Sequence, residues 1–200
     1  MRATVIDYKA GNLASVVKAL RHLGSEVVIT ENPADVSAAE RIVLPGVGHF
    51  AATRRLRETG ITEAVREAIA HGVPFLGICV GLQWLFAGST EAPGCAGLAA
   101  FPEMCDRFAP GRKVPHVGWN SLELRRGSRL LAGIASGDFA YFTHSYRAPS
   151  VHATVAVTDY GEPFTAAVER GNAMGVQFHP EKSGETGLRV LRNFLEWQPC

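Results

Sequence analysis

The stretch that decides the fold is Pro74-Phe75-Leu76-Gly77-Ile78-Cys79-Val80-Gly81, in which an apolar run leads directly to a cysteine held between two glycines. Residues 74–79 predict a buried strand, and residues 80–86 predict a helix that follows the strand with almost no loop. A sharp strand-to-helix turn is typical of a nucleophile elbow, where small neighbouring residues let strand and helix approach closely. At this point Cys79 would lie at the carboxyl end of a strand and at the positive end of the helix dipole, which favours the thiolate.

The sequence around this stretch alternates strand and helix patterns. Strands are predicted at residues 4–7, 26–29, 41–44 and 74–79, and helices at residues 13–23, 49–58 and 62–71. This alternation predicts an α/β fold of the flavodoxin-like kind, with a doubly wound, mostly parallel sheet flanked by helices. The second half is richer in strands, at residues 104–108, 140–143, 154–158, 165–170 and 173–178, and ends in an amphipathic helix at residues 186–197. Because no repeat or long linker interrupts the pattern, residues 1–200 are predicted to form one domain.

The composition argues against several classes of function. The 20 basic and 19 acidic side chains are dispersed and leave a net charge of +1, which predicts no nucleic-acid partner. No apolar stretch approaches the roughly 20 residues of a membrane helix. We expect no signal peptide, because the first predicted strand begins at once without a long apolar region before it. Four cysteines, at positions 79, 95, 105 and 200, show no CxxC spacing, so we expect reduced thiols and a cytoplasmic protein. The histidines lack the spacing of a metal site, and no metal or organic cofactor is expected.

A second segment, Phe178-His179-Pro180-Glu181, supplies the partners that a catalytic cysteine needs. Pro180 favours an extended backbone at His179, and residues two apart in an extended chain point to the same side. Glu181 would then orient the imidazole and stabilise it when protonated. Cys79, His179 and Glu181 together predict a cysteine-dependent amidohydrolase. The competing interpretations are a buried structural cysteine at position 79 and a surface histidine and glutamate that end a strand.

Attack of a thiolate on an amide also requires hydrogen-bond donors for the oxyanion that forms. The N–H group of Val80, directly after the cysteine, is the first candidate donor. The turn Pro45-Gly46-Val47-Gly48 provides a second one, at Val47 or Gly48, although its glycines are equally consistent with a plain turn. Gln83, one helical turn beyond Cys79, is placed to hydrogen-bond the polar end of a small amide substrate.

The segments Gly77-Ile78-Cys79-Val80-Gly81-Leu82-Gln83 and Gly175-Val176-Gln177-Phe178-His179-Pro180-Glu181 resemble the class I, or triad, glutamine amidotransferases. Within that family, five further segments are similar to those of the glutaminase subunits of imidazole glycerol phosphate synthase. They are Asp7-Tyr8-Lys9-Ala10-Gly11-Asn12-Leu13, Pro45-Gly46-Val47-Gly48-His49-Phe50, Pro115-His116-Val117-Gly118-Trp119-Asn120, His144-Ser145-Tyr146 and His179-Pro180-Glu181-Lys182-Ser183. Two positions depart from the pattern, since Lys9 stands where glycine is commoner and Arg147 where an aromatic residue is commoner.

The resemblance implies a role for each matching residue. Cys79 would be the nucleophile, His179 the general base and acid, and Glu181 the residue that orients His179. The glutamine pocket would be lined by the following residues: Val47, Gly48, Gln83, His144, Ser145 and Tyr146. Trp119, Asn120 and Lys182 would face a protein partner.

The resemblance also implies the nature of that partner. It would be a separate (β/α)₈ cyclase subunit that forms a heterodimer with this chain and receives ammonia released from L-glutamine. The cyclase would use the ammonia to make imidazole glycerol phosphate and the aminoimidazole carboxamide ribotide of histidine biosynthesis. Because a glutaminase without an acceptor wastes glutamine, we expect low activity for the chain alone.

Three alternatives remain open from the sequence. The chain could be another class I glutaminase subunit, serving pyridoxal phosphate, anthranilate or GMP synthesis. It could be a non-catalytic interaction subunit that keeps the fold. It could also be a free-standing cysteine hydrolase of γ-glutamyl compounds, although an exposed apolar patch around Trp119 would then be hard to explain.

Overall fold

A computed structural model describes residues 1–10 and 12–198 of the chain. The strands are β1 (Arg2–Ile6), β2 (Glu26–Thr30), β3 (Ile42–Gly46), β4 (Phe75–Cys79), β5 (Phe86–Ser89), β6 (Phe101–Arg107), β7 (His116–Ser121), β8 (Glu123–Leu124), β9 (Phe139–His144), β10 (Tyr146–Arg147), β11 (Thr154–Asp159), β12 (Pro163–Arg170) and β13 (Ala173–Val176). The helices are α1 (Leu13–His22), α2 (Pro33–Ser37), α3 (Arg54–Glu58), α4 (Ile61–Ala70), α5 (Val80–Trp84) and α6 (Gly184–Leu195), with 3₁₀ turns at Phe50–Thr53 and Pro180–Lys182.

The central sheet has eight strands in the order β2-β1-β3-β4-β13-β12-β11-β8. The first five strands of this order run parallel to one another, which confirms the predicted α/β fold. The remaining pairings, β13 with β12, β12 with β11 and β11 with β8, are antiparallel. The β11–β12 and β12–β13 connections are too short for the crossover that a parallel pair needs, so each forms a hairpin.

Two small sheets lie beside the central one. Strands β10, β6 and β5 form the first, and β7 and β9 form an antiparallel pair. In the β7–β9 pair the inward residues include His116, Asn120 and Phe142, while Val117, Trp119 and Phe139 face outward and are 53–56% exposed. The apolar residues of this ribbon therefore form an exposed face, which we call the β7–β9 face. An exposed apolar surface is a common feature of interaction sites.

Several predicted bounds differ from the structure. The predicted helix at residues 49–58 is a 3₁₀ turn followed by α3, and the predicted helix at residues 80–86 ends at Trp84 because β5 begins at Phe86. The predicted strand at residues 173–178 ends at Val176, and the last helix begins at Gly184 and ends at Leu195. Strands β5, β7, β8 and β10 and helix α2 are not among the predicted elements. Among the described residues, no helix is long and apolar enough to span a bilayer.

Two glycines let β4 turn into α5 against the sheet. A Cβ atom on Gly81 would lie 2.0 Å from the backbone oxygen of Leu44 in β3, and one on Gly77 would lie 2.2 Å from the backbone oxygen of Gly81. Neither contact is possible for a carbon atom, so the elbow needs glycine on both sides of the cysteine. The close approach fixes Cys79 at the carboxyl end of β4.

Candidate active site

Cys79 occupies the elbow in a strained backbone conformation. Its φ and ψ angles are 54° and −104°, and a non-glycine residue with positive φ is uncommon. Such strain is found where the surrounding structure forces it, frequently at active sites. The side chain is buried, and its sulfur lies 3.5 Å from Nε2 of Gln177 and 3.9 Å from the carbonyl oxygen of Thr143.

His179 and Glu181 reach the same edge of the sheet because β13 is the parallel neighbour of β4. The His179 backbone is anchored on both sides, since its N–H donates to the Tyr141 carbonyl at 2.8 Å and its carbonyl accepts from Ser183 Oγ at 2.7 Å. The Nδ1 atom lies 2.9 Å from Oε1 of Glu181, and both side chains are buried. This pair leaves Nε2 of His179 without a hydrogen-bond partner among the described residues.

The protonation of His179 is set by opposing effects. Burial by itself lowers the pKa of His179, but the neighbouring Cys79 sulfur and the Glu181 carboxylate raise it more strongly, to about 9. The imidazole is therefore largely protonated near neutral pH. A protonated imidazole beside a cysteine sulfur is the arrangement that activates a thiol for attack and supplies a proton to a leaving group.

A cavity of about 300 Å³ opens onto the cysteine. The residues that line it are Gly48, Cys79, Val80, Gln83, Glu91, Pro115, Thr143, His144, Ser145 and Tyr146. The structure thus brings together most of the residues that the sequence assigned to the oxyanion site and the pocket. Val47, assigned with Gly48, is half-buried and is not among the lining residues that the structure describes.

Several side chains around the site had no role in the sequence analysis. The Asn12 amide donates to Oε1 of Glu181 and Gln177 donates to the Cys79 sulfur, although each pair is far apart in sequence. The buried Tyr8 hydroxyl has no hydrogen-bond partner among the described residues. Burial and then Cys79 raise the pKa of Tyr8, so its phenol stays protonated. Glu91 brings a carboxylate to the cavity, and its Oε2 accepts from the Phe50 N–H at 2.7 Å.

The three residues predicted to face a partner, Trp119, Asn120 and Lys182, differ in how their side chains are placed. Trp119 lies on the β7–β9 face, and Lys182 is exposed with its ammonium 5.8 Å from the centre of the Tyr141 ring. Asn120 instead turns its amide inward, where Nδ2 donates to the Asp159 carbonyl at 2.9 Å. The exposed residues of this set therefore adjoin the edge of the sheet that carries His179.

Cys95 and Cys105 are buried and unpaired, as expected for core thiols, and Cys200 lies outside the described residues. Burial raises the pKa of Cys105, which keeps its thiol protonated and unreactive. The described part of the chain contains no cluster of three or more His, Cys, Asp or Glu side chains suited to a metal ion.

The model of the class I glutamine amidotransferase family matches residues 4–197. The chain belongs to this family. It is 49% identical over 193 residues to imidazole glycerol phosphate synthase subunit HisH of Methanothermobacter thermautotrophicus, with 96% of each chain covered. It is 50% identical to the Deinococcus radiodurans protein of the same name, covering 95% of this chain and 91% of that one.

Two further comparisons extend this result. The chain is 46% identical over 199 residues to imidazole glycerol phosphate synthase hisHF of Arabidopsis thaliana, covering 96% of this chain but 33% of that longer protein. A solved glutamine amidotransferase has the same fold, with a TM-score of 0.76 at 23% identity. The match covers 96% of this chain and 97% of the solved one. The architecture of this glutamine amidotransferase is thus shared even where the sequence has diverged.

Proposed function

We propose that this glutamine amidotransferase is the glutaminase subunit of an imidazole glycerol phosphate synthase. It would hydrolyse L-glutamine to L-glutamate and ammonia through a thioester on Cys79. The observation that carries the proposal is the meeting of Cys79, the buried His179–Glu181 pair and the cavity at one edge of the sheet.

In the first half of the reaction, the Cys79 thiolate attacks the side-chain amide carbon of glutamine and forms a tetrahedral oxyanion. We propose the Val80 N–H and an N–H of Val47 or Gly48 as its donors. The C–N bond then breaks, and protonated His179 gives its proton to the departing amine as ammonia leaves. The product of this half is a glutamyl thioester on Cys79.

In the second half, neutral His179 takes a proton from water, and the resulting hydroxide attacks the thioester carbon. The C–S bond breaks, glutamate leaves, and the proton on His179 restores the thiolate–imidazolium pair. Glu181 stabilises the positive charge on His179 whenever the ring is protonated, and the Asn12 amide holds the carboxylate in place.

The cavity suits an amino acid with a terminal amide. The Glu91 carboxylate can pair with the substrate's α-ammonium group, while the Gln83 side chain and the backbone of Ser145 and Tyr146 offer hydrogen bonds to its polar ends. The cavity of about 300 Å³ is at the lower limit of typical ligand sites, which fits a substrate of glutamine's size.

We further propose that the β7–β9 face and Lys182 contact a separate (β/α)₈ cyclase subunit that accepts the ammonia. The exposed Trp119, Val117 and Phe139 favour this over a free-standing hydrolase, because such side chains are typical of an interface. Two relatives are named as subunits of the synthase, and a third, named hisHF, is a longer protein. We propose that residues 1–200 form one domain of a cytoplasmic heterodimer.

The test is glutamate release from glutamine by the purified chain, alone and with the cyclase bound to its acceptor substrate. We expect slow turnover alone and strong activation by the liganded partner, both abolished by Cys79→Ser. Cys79-dependent turnover that the cyclase does not change would point to a different amidotransferase or a free-standing hydrolase.

A further inference from the structure

A chain of hydrogen bonds, buried at its His116–His144 contact, connects the β7–β9 pair to the pocket. The donor and the acceptor of each bond can be deduced. Nδ1 of His144 lies 2.9 Å from the carbonyl oxygen of Tyr146. A carbonyl oxygen only accepts, so Nδ1 must carry the proton and donate. In neutral His144 the other ring nitrogen, Nε2, is therefore an acceptor.

His116 supplies the donor that this acceptor requires. Its Nδ1 lies 3.2 Å from Nε2 of His144, and its own Nε2 lies 3.3 Å from Nδ2 of Asn120. Nδ2 of Asn120 also donates to the Asp159 carbonyl, which identifies it as the amide nitrogen. The carbonyl of Asp159 thus fixes the amide of Asn120 at one end of the series, and the carbonyl of Tyr146 fixes the ring of His144 at the other. Between them, His116 accepts from Asn120 at Nε2 and donates to His144 from Nδ1.

The environment keeps both rings neutral. His116 is buried and stacks against Tyr160 and Phe142, with ring centres 4.2 and 5.0 Å away. Burial lowers the pKa of His116 to about 4 and that of His144 to about 3. Neither ring is charged at neutral pH, so the tautomers deduced from the carbonyls apply.

The same Tyr146 carbonyl orients the amides that lead to the cysteine. Nε2 of Gln83 donates to it at 2.7 Å and to Oε1 of Gln177 at 3.2 Å, and Nε2 of Gln177 then donates to the Cys79 sulfur at 3.5 Å. Both N–H groups of Gln83 are used in this way. Its Oε1 has no donor among the described residues, and Gln83 lines the cavity.

We propose that His116 is a positioning residue for the glutamine pocket. By donating to Nε2 of His144, it favours the tautomer in which Nδ1 of His144 donates to the Tyr146 carbonyl. That carbonyl in turn orients the Gln83 amide, so that Oε1 of Gln83 is available to an N–H group of the substrate. The inference rests on the proposed glutaminase function and adds to it a residue outside the cavity.

Loss of the His116 donor has a defined consequence. His144 is then free to carry its proton on Nε2, which turns an Nδ1 lone pair towards the Tyr146 oxygen and breaks that bond. The Tyr146 carbonyl then keeps the hydrogen bond from Gln83 but loses the one from His144, so both the carbonyl and the Gln83 amide are held less firmly. Contacts that these groups would make with glutamine both before and during the reaction then weaken together, so KM should rise while kcat changes little.

The experiment compares His116→Phe, which keeps a stacking ring but removes the donor, with His116→Asn, whose amide nitrogen takes the place of Nδ1. Glutamine turnover is measured with the liganded cyclase. We expect KM to rise about five- to tenfold in His116→Phe, the size of one buried hydrogen bond, with kcat within about twofold. His116→Asn should recover most of the lost affinity.

A second readout uses ¹⁵N NMR of the histidine rings, with the His144 signals identified as those that His144→Gln removes. Protonation of His144 at Nδ1 in the unaltered protein and a shift towards Nε2 in His116→Phe are expected. An Nε2-protonated His144 in the unaltered protein overturns the inference, even if His116→Phe does not fold. Equal KM values in His116→Phe and His116→Asn overturn it as well. Absence of Cys79-dependent turnover in the unaltered complex refutes the proposed function instead, because the tautomer is measured without substrate.

Discussion

Nδ1 of His179 lies 2.9 Å from Oε1 of Glu181, with both side chains withdrawn from solvent. The carboxylate can only accept, so the ring donates from Nδ1, and Nε2 has no hydrogen-bond partner among the described residues. The Asn12 amide donates to the same carboxylate oxygen. The His179–Glu181 pair is thus held by a contact between residues 169 positions apart in the sequence.

Loss of the base should cost more than loss of the residue that orients it. His179→Ala is expected to lower kcat for glutamine hydrolysis by about 10²- to 10⁴-fold, the usual contribution of general acid–base catalysis. Glu181→Gln should cost less, because its amide oxygen can still accept from Nδ1. Steady-state glutamate release by both variants with the cyclase present is the measurement, and a neutral Glu181→Gln would remove Glu181 from the mechanism.

The nucleophile should be separable from the synthase reaction. Cys79→Ser is expected to reduce glutamine-dependent synthesis by the complex about 10³-fold or more, since the hydroxyl is a far weaker nucleophile than the thiolate. Synthesis from added ammonia should remain largely intact, because it bypasses the cysteine. Loss of both activities would instead assign Cys79 a structural role.

Burial of neutral His116 should make the protein sensitive to acid. Its folded pKa is about 4 against an ordinary 6.5, so between these values the unfolded chain binds a proton that the folded protein does not. Stability therefore falls as the pH falls below 6.5, and this histidine accounts for about 2 kcal/mol between pH 7 and pH 5.

Urea unfolding of the unaltered protein and of His116→Phe at the two pH values measures this contribution. The variant should be less stable at pH 7, because His144 loses a partner, yet lose about 2 kcal/mol less on acidification. Identical pH dependence of the two free energies of unfolding would show that His116 is not buried as a neutral ring.

Gly81→Ala should be strongly destabilising. The new Cβ would lie 2.0 Å from the backbone oxygen of Leu44. Because that atom is backbone of the central strand β3, it cannot move away as a flexible side chain could. We expect a loss of about 3 kcal/mol or more in the free energy of unfolding, at the upper end for overpacked sites. Gly94→Ala is the matched control, because no atom lies within 4 Å of its Cβ position, and it should change stability little.

The sequence predicts those parts of the fold and site that depend on residues adjacent in the chain. The elbow at Cys79 and the His-Pro-Glu segment each combine a strand end with a reactive side chain, so the triad hypothesis follows from local patterns. The fold class follows in the same way from the alternation of strand and helix patterns, but the strand order does not. Lys9 is a further local signal, because the structure places it at a φ of 66°, a conformation that favours glycine, and glycine is the residue that the resemblance implies there.

What the sequence could not supply depends on contacts between distant residues. Asn12 meets Glu181 across 169 positions, and Gln177 meets Cys79 across 98. Strand β7 was missed because its polar residues, His116 and Asn120, face inward while Val117 and Trp119 face outward, the reverse of the usual alternation. The inward polar residues are explained only by the hydrogen-bond partners that the fold brings to them.

The central claim is that Cys79 attacks the side-chain carbon of bound glutamine. It is tested most directly by a glutamine analogue with a diazoketone in place of the amide, because such a group alkylates a cysteine at the active site. The diazo carbon takes up a proton, the Cys79 sulfur attacks that carbon, and nitrogen gas leaves. Mass spectrometry of the digested chain should locate one adduct on Cys79, formed more slowly when glutamine is present and absent in Cys79→Ser. An adduct on another cysteine, or alkylation of Cys79 that glutamine does not slow, would contradict the account.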